Sequence, residues 1–306
     1  MRILVLGAGG VGGYFGGRLV EKGENVTFLV RENRKKQLEK NGLVIRSVNG
    51  DYAFSPKLTT SKDAKETFDV VLFSTKSYHL ENAIADLKPF VGEHTVIVPL
   101  LNGIAHVSRL QEAFGEEKVI GGLCFIETTL NSEGDVVQTS AAAKLVYGEF
   151  RGKDTARIRQ ISDAFSGTKA DFVLSSSIEK EMWHKYLFIT VMSGVTSLMR
   201  APIGPIRESE GGRGMIRQFF TEGAAIMHAH NAPISETIID DHMKTIDSIG
   251  YEMKSSMQRD MEKKAFVEGD HLQGHMLELA KEKGIDAPIL AMVYQNVKVY
   301  KKMLEQ

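Results

Sequence analysis

Near its amino end the chain reads Arg2-Ile3-Leu4-Val5-Leu6-Gly7-Ala8-Gly9-Gly10-Val11-Gly12, an apolar run that passes directly into closely spaced glycines. This pattern predicts a buried strand, a G-x-G-x-x-G turn and the start of a helix. Gly7 allows the tight turn, Gly9 lets the backbone approach a pyrophosphate, and Gly12 lets the helix lie close to the strand. Phosphates would then contact free N–H groups where the helix begins, near Gly10 and Val11.

The neighbouring sequence favours a dinucleotide site over a structural glycine turn that binds no ligand. A helix is predicted over residues 11–22, and a second strand follows over residues 25–30. Strand, glycine turn, helix and second strand in this order form the βαβ unit that binds dinucleotides.

Composition excludes several classes of protein. The chain has 306 residues, 42% of them hydrophobic and 25% charged, with a net charge of −1, so two soluble domains are expected and neither nucleic acid nor an anionic membrane is indicated. No apolar stretch approaches the ~18 residues of a membrane span. The single cysteine, Cys124, excludes an intrachain disulfide framework and is expected to be a small buried residue in a reducing compartment. A cytoplasmic location follows as the expectation.

Strand and helix patterns alternate along the first half of the chain, which predicts an α/β fold with a Rossmann-type, doubly wound parallel sheet. Further strands are predicted over residues 68–74, 95–100 and 118–121, and β-rich segments over 124–150 read as an antiparallel extension of the sheet. After residue 178 the pattern is helical, which predicts an all-α second domain. The boundary is placed in the serine run, giving domains 1–175 and 176–306.

The end of the second predicted strand indicates which dinucleotide is bound. An acidic residue at this position typically holds the ribose 2′-OH of NAD, but here the strand is followed by Arg31. A guanidinium suits a 2′-phosphate, and three more cations follow at positions 34–36, so NADP(H) is predicted. Glu32 keeps NAD open as the alternative, and some of these charges are expected to be ordinary solvated residues at a helix start.

Polar residues at strand ends and within apolar helices are the candidates for chemistry. Lys76 and Asn102 follow two predicted parallel strands. Lys185 lies in an apolar helix, where it either extends its amine to solvent or faces a cleft as a general acid. Glu268 stands near a helix start, where simple helix electrostatics is the alternative explanation. His271 and His275 have i,i+4 spacing but no third ligand, so no metal site is predicted.

Taken together, these pieces resemble the ketopantoate reductase family over the whole chain. The matching segments are Gly7-x-Gly9-x-x-Gly12, Arg31, Thr75-Lys76, Asn102-Gly103, Trp183-x-Lys185, Ser255-Ser256-Met257-x-x-Asp260 and Glu268-x-Asp270-x-x-x-Gly274. The resemblance implies that hydride moves from NADPH to the C2 ketone of 2-dehydropantoate, giving (R)-pantoate for coenzyme A synthesis.

The resemblance also assigns roles to individual residues. Lys185 matches the general acid, and Glu268 matches the carboxylate that positions the substrate and the lysine. Asn102 and Ser256 match polar groups that hold the substrate, and Asn102 also counts among the cofactor contacts. On the cofactor side stand the glycine turn with Val11 and the cations Arg31 and Lys76.

Several positions depart from the family pattern. Ile189, Ser193 and Met253 stand where the family usually has asparagines, and Gln273 replaces another. A more apolar pocket favours the alternative of a branched or aromatic 2-oxo acid, reduced by an enzyme of the D-2-hydroxy acid dehydrogenase type. A third reading is an NADP(H)-binding sensor without turnover, although a sensor needs neither Lys185 nor Glu268. The expected partner is a small 2-oxo acid, and the sequence leaves room for a homodimer.

Overall fold

The computed structural model describes residues 1–64 and 66–305 of the chain. The strands are β1 (Arg2–Leu6), β2 (Asn25–Leu29), β3 (Leu43–Ser47), β4 (Tyr52–Phe54), β5 (Lys57–Thr59), β6 (Phe68–Phe73), β7 (Val91–Pro99), β8 (Gly121–Leu130), β9 (Val136–Gly148) and β10 (Asp171–Leu174). The α-helices are α1 (Gly10–Lys22), α2 (Glu32–Asn41), α3 (Leu80–Leu87), α4 (Ala105–Phe114), α5 (Ala156–Phe165), α6 (Ile178–Met199), α7 (Ile203–Glu208), α8 (Gly212–Ala229), α9 (Ile238–Ser248), α10 (Ser256–Glu262), α11 (His275–Glu282) and α12 (Pro288–Leu304).

The first sheet has the strand order β5-β2-β1-β6-β7, and each pair in it is parallel. Ile3 of β1 lies between Val26 and Val70 of the neighbouring strands. Alternate residues of β1 pack into two different apolar clusters, Ile3 and Val5 in one and Leu4 and Leu6 in the other. Both faces of the sheet are therefore covered, which explains why its strands are continuously apolar.

The second sheet contains the antiparallel part of the fold. Its order is β10-β9-β3-β4, with β8 pairing antiparallel to β9. The α/β fold class is confirmed, but the β-rich segment pairs with β3 and β10 instead of continuing the first sheet. The predicted strand at residues 118–121 is also wrong: the described structure has a short 3₁₀ turn over Glu116–Lys118 and a single bridge between Ile97 and Val119.

The chain separates into two compact units. Unit 1 contains Met1–Leu101 and His106–Ile178, and unit 2 contains Asn102–Ala105 and Glu179–Gln306. Helix α6 lies at the start of the region predicted to be helical, and it contributes Tyr186, Leu187 and Val191 to the apolar core of unit 2. The short segment Asn102–Ala105, which begins three residues after the end of β7, thus belongs by its contacts to the helical unit, although it is far from that unit in sequence.

None of the helices within the described ranges has the length and apolar character required to cross a lipid bilayer.

Candidate functional site

The glycine turn of unit 1 brings β1 and α1 into close contact. Gly7 has a φ of +97°, a conformation that a side chain would strain, and its amide donates to the carbonyl of Leu29 at 3.0 Å. A Cβ on Gly12 would lie 2.1 Å from the Gly7 carbonyl oxygen and 2.1 Å from Ser74 Oγ. Only glycine fits at position 12, so the first turn of α1 lies directly against the strand ends.

The start of α1 is open to an anion. The helix begins at Gly10, its N-cap residue Gly9 has no side chain to cap it, and its first turn carries no acidic residue. A Cβ on Gly9 would meet nothing within 4 Å. The amides of the first turn, including those of Gly10 and Val11, therefore have no side-chain cap or acidic residue to offset their positive partial charge, which fits a bound pyrophosphate.

The end of β6 adds polar groups beside this turn. Ser74 Oγ donates to the carbonyl of Leu6 at 2.8 Å and ties the ends of β1 and β6 together. The next hydroxyl, Thr75 Oγ1, is buried without a hydrogen-bond partner, which is costly unless a ligand or water satisfies it. Lys76 follows as an exposed residue just before the short turn Ser77–His79. These groups also fit a dinucleotide.

The cations after β2 differ in what they contact. Arg34 donates to the carbonyls of Ala8 and Gly134, each at 3.0 Å, so its guanidinium braces the glycine turn and is not available to a phosphate. Lys35 pairs with Asp63 at 3.1 Å. Arg31 is an exposed residue at the N-cap of α2. Burial, and after it the charge of Arg31, lower the pKa of His79 in the Ser77–His79 turn.

The candidate acid and carboxylate lie on separate elements of unit 2. Lys185 is half-buried on α6, next to the fully buried Tyr186. Glu268 is 9% exposed, and its backbone carbonyl accepts from the amides of His271 and Leu272, both at 3.1 Å. Ser256, another candidate, is exposed at the start of α10, where the neighbouring Ser255 caps the helix by accepting from the Gln258 amide at 3.1 Å.

Glu268 directly precedes a π-turn, Asp270–Gly274, instead of the regular helix start that the sequence predicts. The amide of Gly274 donates to the carbonyl of Gly269 at 2.9 Å, the i→i+5 bond that defines such a turn. A Cβ on Gly269 would lie 2.4 Å from Val297, and one on Gly274 would lie 2.9 Å from the Tyr294 ring. The two flanking glycines therefore let the π-turn press against α12.

Side chains join the π-turn to α6, the helix that carries Lys185. Tyr186 Oη donates to the Leu272 carbonyl at 2.7 Å. The fully buried amide of Gln273 donates through Nε2 to the Thr190 carbonyl at 2.9 Å and to Ser193 Oγ at 2.8 Å. These three bonds attach the Glu268 segment to α6 at Tyr186, the residue after Lys185, and at Thr190 and Ser193 further along the helix.

The side chain of Asp270 is bonded to helix α12. Its carboxylate accepts from Tyr294 Oη at 3.0 Å and pairs with Lys301, both on α12. Burial, and then the Asp270 charge, raise the pKa of Tyr294 to about 12, so this hydroxyl remains a donor. Asp270 therefore anchors the π-turn to α12.

Asn102 and Gly103 contact the other side of the π-turn. The ring of His271 donates to the backbone carbonyl of Asn102, and Gly103, with a φ of +83°, packs against His271 and Leu272. Burial is the main cause of a lowered pKa of His271, opposed by the charge of Glu268. Unit 2 thus brings Asn102 to the segment that carries Glu268.

Sequence reasoning missed four contributors to this arrangement: Tyr186, His271, Gln273 as a donor to α6, and Arg34 as a brace of the glycine turn. Their partners lie 26 or more residues away along the chain. A buried tyrosine beside Lys185 and a glutamine in the Glu268 segment were visible in the sequence, but nothing local indicated what they bond.

Two family models match the chain. One, described as "Ketopantoate reductase PanE/ApbA", matches residues 3–152, and the other, described as "Ketopantoate reductase PanE/ApbA C terminal", matches residues 177–301.

Individual proteins match along nearly their whole length. An uncharacterized oxidoreductase, YkpB, from Bacillus subtilis (strain 168) is 46% identical over 300 residues, which is 98% of this chain and 99% of the relative. The crystal structure of 2-dehydropantoate 2-reductase from Geobacter metallireducens is 27% identical, with a TM-score of 0.88 and coverage of 97% of this chain and 99% of that one. A structure described as a dimeric ketopantoate reductase from Staphylococcus aureus has a TM-score of 0.84 at 22% identity and covers 99% of this chain and 100% of its own.

Proposed function

The chain belongs to the ketopantoate reductase family of oxidoreductases, and we propose that it reduces the C2 ketone of 2-dehydropantoate to (R)-pantoate with NADPH. The observation that carries this proposal is the bonding between the Glu268 segment and the Lys185 helix. Tyr186, adjacent to Lys185, donates to the carbonyl of Leu272, four residues after Glu268. A general acid and its supporting carboxylate need such a fixed relation, and a protein that only binds a nucleotide does not.

We assign the cofactor to unit 1. The glycine turn and the open start of α1 would hold the pyrophosphate, with contacts from the residues Gly7, Gly9, Gly10, Val11 and Gly12. Arg31 would bind the 2′-phosphate, because it is exposed while Arg34 and Lys35 are occupied within the protein. Lys76 would add a second cation, and Asn102 would contact both cofactor and substrate. When bound, the cofactor supplies the hydride.

Lys185 acts as the general acid in this proposal. Reduction places negative charge on the former ketone oxygen, which a nearby ammonium stabilises before it donates its proton. The buried carboxylate of Glu268 keeps the lysine charged and oriented. Ser256, exposed at the start of α10, is available to hydrogen-bond the substrate.

A second substrate class is favoured by the bonding of Gln273. Its amide nitrogen is committed to Thr190 and Ser193, so it does not present a donor to a substrate hydroxyl. Ile189, one turn after Lys185, is apolar where the family pattern has an amide, and Met253 is partly exposed. These residues support a branched or aromatic 2-oxo acid that lacks the 4-hydroxyl as the alternative substrate.

We also propose that the protein is a cytoplasmic homodimer. The S. aureus neighbour described as dimeric supports the assembly, and a single buried cysteine, Cys124, fits a reducing compartment. Size-exclusion chromatography with light scattering measures the assembly directly, and a monomeric mass at micromolar concentration would contradict it.

The test of function is NADPH oxidation by the purified protein with 2-dehydropantoate, 2-oxoisovalerate and phenylglyoxylate. A kcat/KM for 2-dehydropantoate far above the others supports the first substrate, and the reverse order supports the second. Tight NADPH binding with no turnover on any of the three would contradict a reductase and favour a sensor.

The Lys185→Ala variant tests the acid. We expect kcat to fall by about 10² or more, because proton donation is lost, while NADPH affinity barely changes. The matched control is Lys180→Ala, which removes an exposed lysine from the same helix and should leave both unchanged. A large loss of NADPH affinity in Lys185→Ala would show that the lysine serves the cofactor instead.

A further inference from the structure

The turn formed by Asn102 and Gly103 packs directly on the π-turn of unit 2. Gly103 has a φ of +83°, and a Cβ at this position would lie 3.2 Å from His271 Cδ2 and 3.2 Å from Leu272 Cδ2. The backbone conformation favours glycine here, and a Cβ would press against both side chains. The two segments are 168 residues apart in sequence, so their contact is a tertiary feature and not a local turn.

The His271 ring adds a hydrogen bond to this contact. It donates a hydrogen bond to the backbone carbonyl of Asn102. Burial lowers the pKa of His271, and the hydrogen bond to Asn102 opposes that shift because it favours the protonated ring. The bond links the ring to the Asn102 carbonyl and restricts the movement of both groups.

The backbone around His271 is itself held by two hydrogen bonds. Its amide donates to the Glu268 carbonyl at 3.1 Å, and the next residue, Leu272, accepts from Tyr186 Oη at 2.7 Å. A continuous series of bonds therefore runs from α6 through the π-turn to Asn102. Displacing the ring of His271 would break it at its last step.

A metal role for this histidine does not account for the geometry. The described residues contain no group of three His, Cys, Asp or Glu side chains that could hold a metal ion. The neighbouring His275 stacks on Tyr186 with ring centroids 6.4 Å apart and lies 3.5 Å from Glu278. The two imidazoles thus serve different partners.

We infer that His271 is a positioning residue, whose ring holds the Asn102 turn so that the Asn102 side chain is placed for the substrate. The inference rests on the proposed function, in which Asn102 contacts substrate. Asn102 follows the end of β7 by three residues, and without the ring its turn would have one fewer tertiary bond to fix it. The effect on the reaction is indirect, because His271 acts through the backbone of Asn102.

The decisive variants are His271→Phe, which keeps the ring volume and removes the donor, and His271→Asn, which restores a donor. We expect His271→Phe to raise the KM for the 2-oxo acid about fivefold, the value of one positioned hydrogen bond, with little change in kcat. His271→Asn should recover most of that loss. An unchanged KM in His271→Phe, or no recovery in His271→Asn, would overturn the inference.

The matched control is His230→Phe. The His230 ring bonds the Leu279 carbonyl at 2.9 Å in the same unit, so the same type of bond is lost elsewhere. Its KM should equal that of the wild type. If it rises as much as that of His271→Phe, the effect is a general loss of packing and the inference fails.

Hydrogen exchange measured by mass spectrometry tests the same point without activity. We expect faster amide exchange over residues 102–105 in His271→Phe than in the wild type, and wild-type exchange in His271→Asn. Identical exchange in all three proteins would overturn the inference. If the wild type reduces no 2-oxo acid while the exchange pattern holds, the proposed function fails and the positioning of Asn102 stands.

If His271→Phe does not fold, Gly103→Ala tests the same contact by changing the Asn102 turn and leaving His271 unchanged. The added Cβ should displace the turn from the ring and raise both the KM and the exchange rate of residues 102–105. A folded Gly103→Ala protein with wild-type values for both would overturn the inference.

Discussion

The glycine turn of unit 1 and the π-turn of unit 2 are built in opposite ways. The first depends on missing side chains: Gly7 has a φ of +97°, and Gly12 leaves no room for a Cβ. The second depends on side chains that reach it from elsewhere, such as Tyr186 bonding Leu272. A turn built from closely spaced glycines forms a local sequence motif that can be recognised. A turn held by hydrogen bonds from distant residues has almost no local sequence motif.

The sharpest test of this contrast is Gly12→Ala. The new Cβ would lie 2.1 Å from a backbone oxygen that cannot move aside, so we expect the free energy of unfolding to fall by about 3 kcal/mol or more. Urea denaturation measures it. Gly9→Ala is the matched control, since its Cβ meets nothing within 4 Å and should cost little stability. Equal losses in the two variants would contradict the packing argument.

The unit that contains the π-turn should also respond to acid, through a group that lies outside the turn itself. Residues 7–12 contain no ionisable side chain, whereas helix α9 of unit 2 holds His242 against the rings of Phe188 and Phe220. Burial, and then the nearby His184, lower the pKa of His242 from 6.5 to about 4. Below pH 6.5 the unfolded chain binds a proton that the folded chain refuses, so stability is complete above that pH and is lost between 6.5 and about 4.

We expect this single group to remove about 2–3 kcal/mol of stability over that interval. The only tryptophan, Trp183, lies in unit 2, so its fluorescence during urea unfolding reports on that unit. His242→Phe should flatten the dependence of stability on pH, because phenylalanine keeps the ring contacts and cannot be protonated. A slope that persists in this variant would assign the effect to other groups.

Tyr186→Phe tests whether one hydroxyl holds the π-turn. Losing the 2.7 Å bond leaves the buried Leu272 carbonyl without its donor, which should cost about 2 kcal/mol of stability. Because Tyr186 adjoins Lys185, we also expect kcat to fall. Tyr300→Phe is the control, since Tyr300, which lies on α12, makes a similar bond of 2.8 Å to the carbonyl of Ala265. It should lose stability but keep kcat, and the same kcat loss in both variants would contradict the argument.

The smallest expected effect concerns the exposed cation beside the glycine turn. Arg31→Ala should weaken NADPH binding about tenfold, because a charge-assisted contact to the 2′-phosphate is lost at an exposed site. NADH, which lacks that phosphate, is the internal control and should bind as before. Fluorescence titration measures both, and equal weakening of the two cofactors would contradict the assignment.

Much of the fold is readable from local pattern. The apolar strands β1, β6 and β7 and the helix α1 lie close to where the sequence predicts them. Periodicity reports on which residues are buried and not on which strands pair. It therefore identified the β-rich region over residues 124–150 but not its membership of a separate sheet with β3 and β10.

The candidate site also has one part that local sequence predicts and one part that depends on long-range contacts. The glycine turn needs only its own residues, so its sequence was sufficient to predict it. The bonds that order the other half join residues far apart, such as Gln273 with Ser193, 80 positions away. Arg34 illustrates the limit: it reads as a phosphate ligand in sequence and proves to be a brace between Ala8 and Gly134.

The membership of Asn102–Ala105 in unit 2 bears on how the protein is dissected. A fragment expressed from residue 179 onwards would omit these four residues and expose the surfaces of His271 and Leu272 that Gly103 covers. The helical unit is therefore formed by two separate segments of the sequence. If the helical unit is joined to another nucleotide-binding domain, the segment Asn102–Ala105 must be transferred with it.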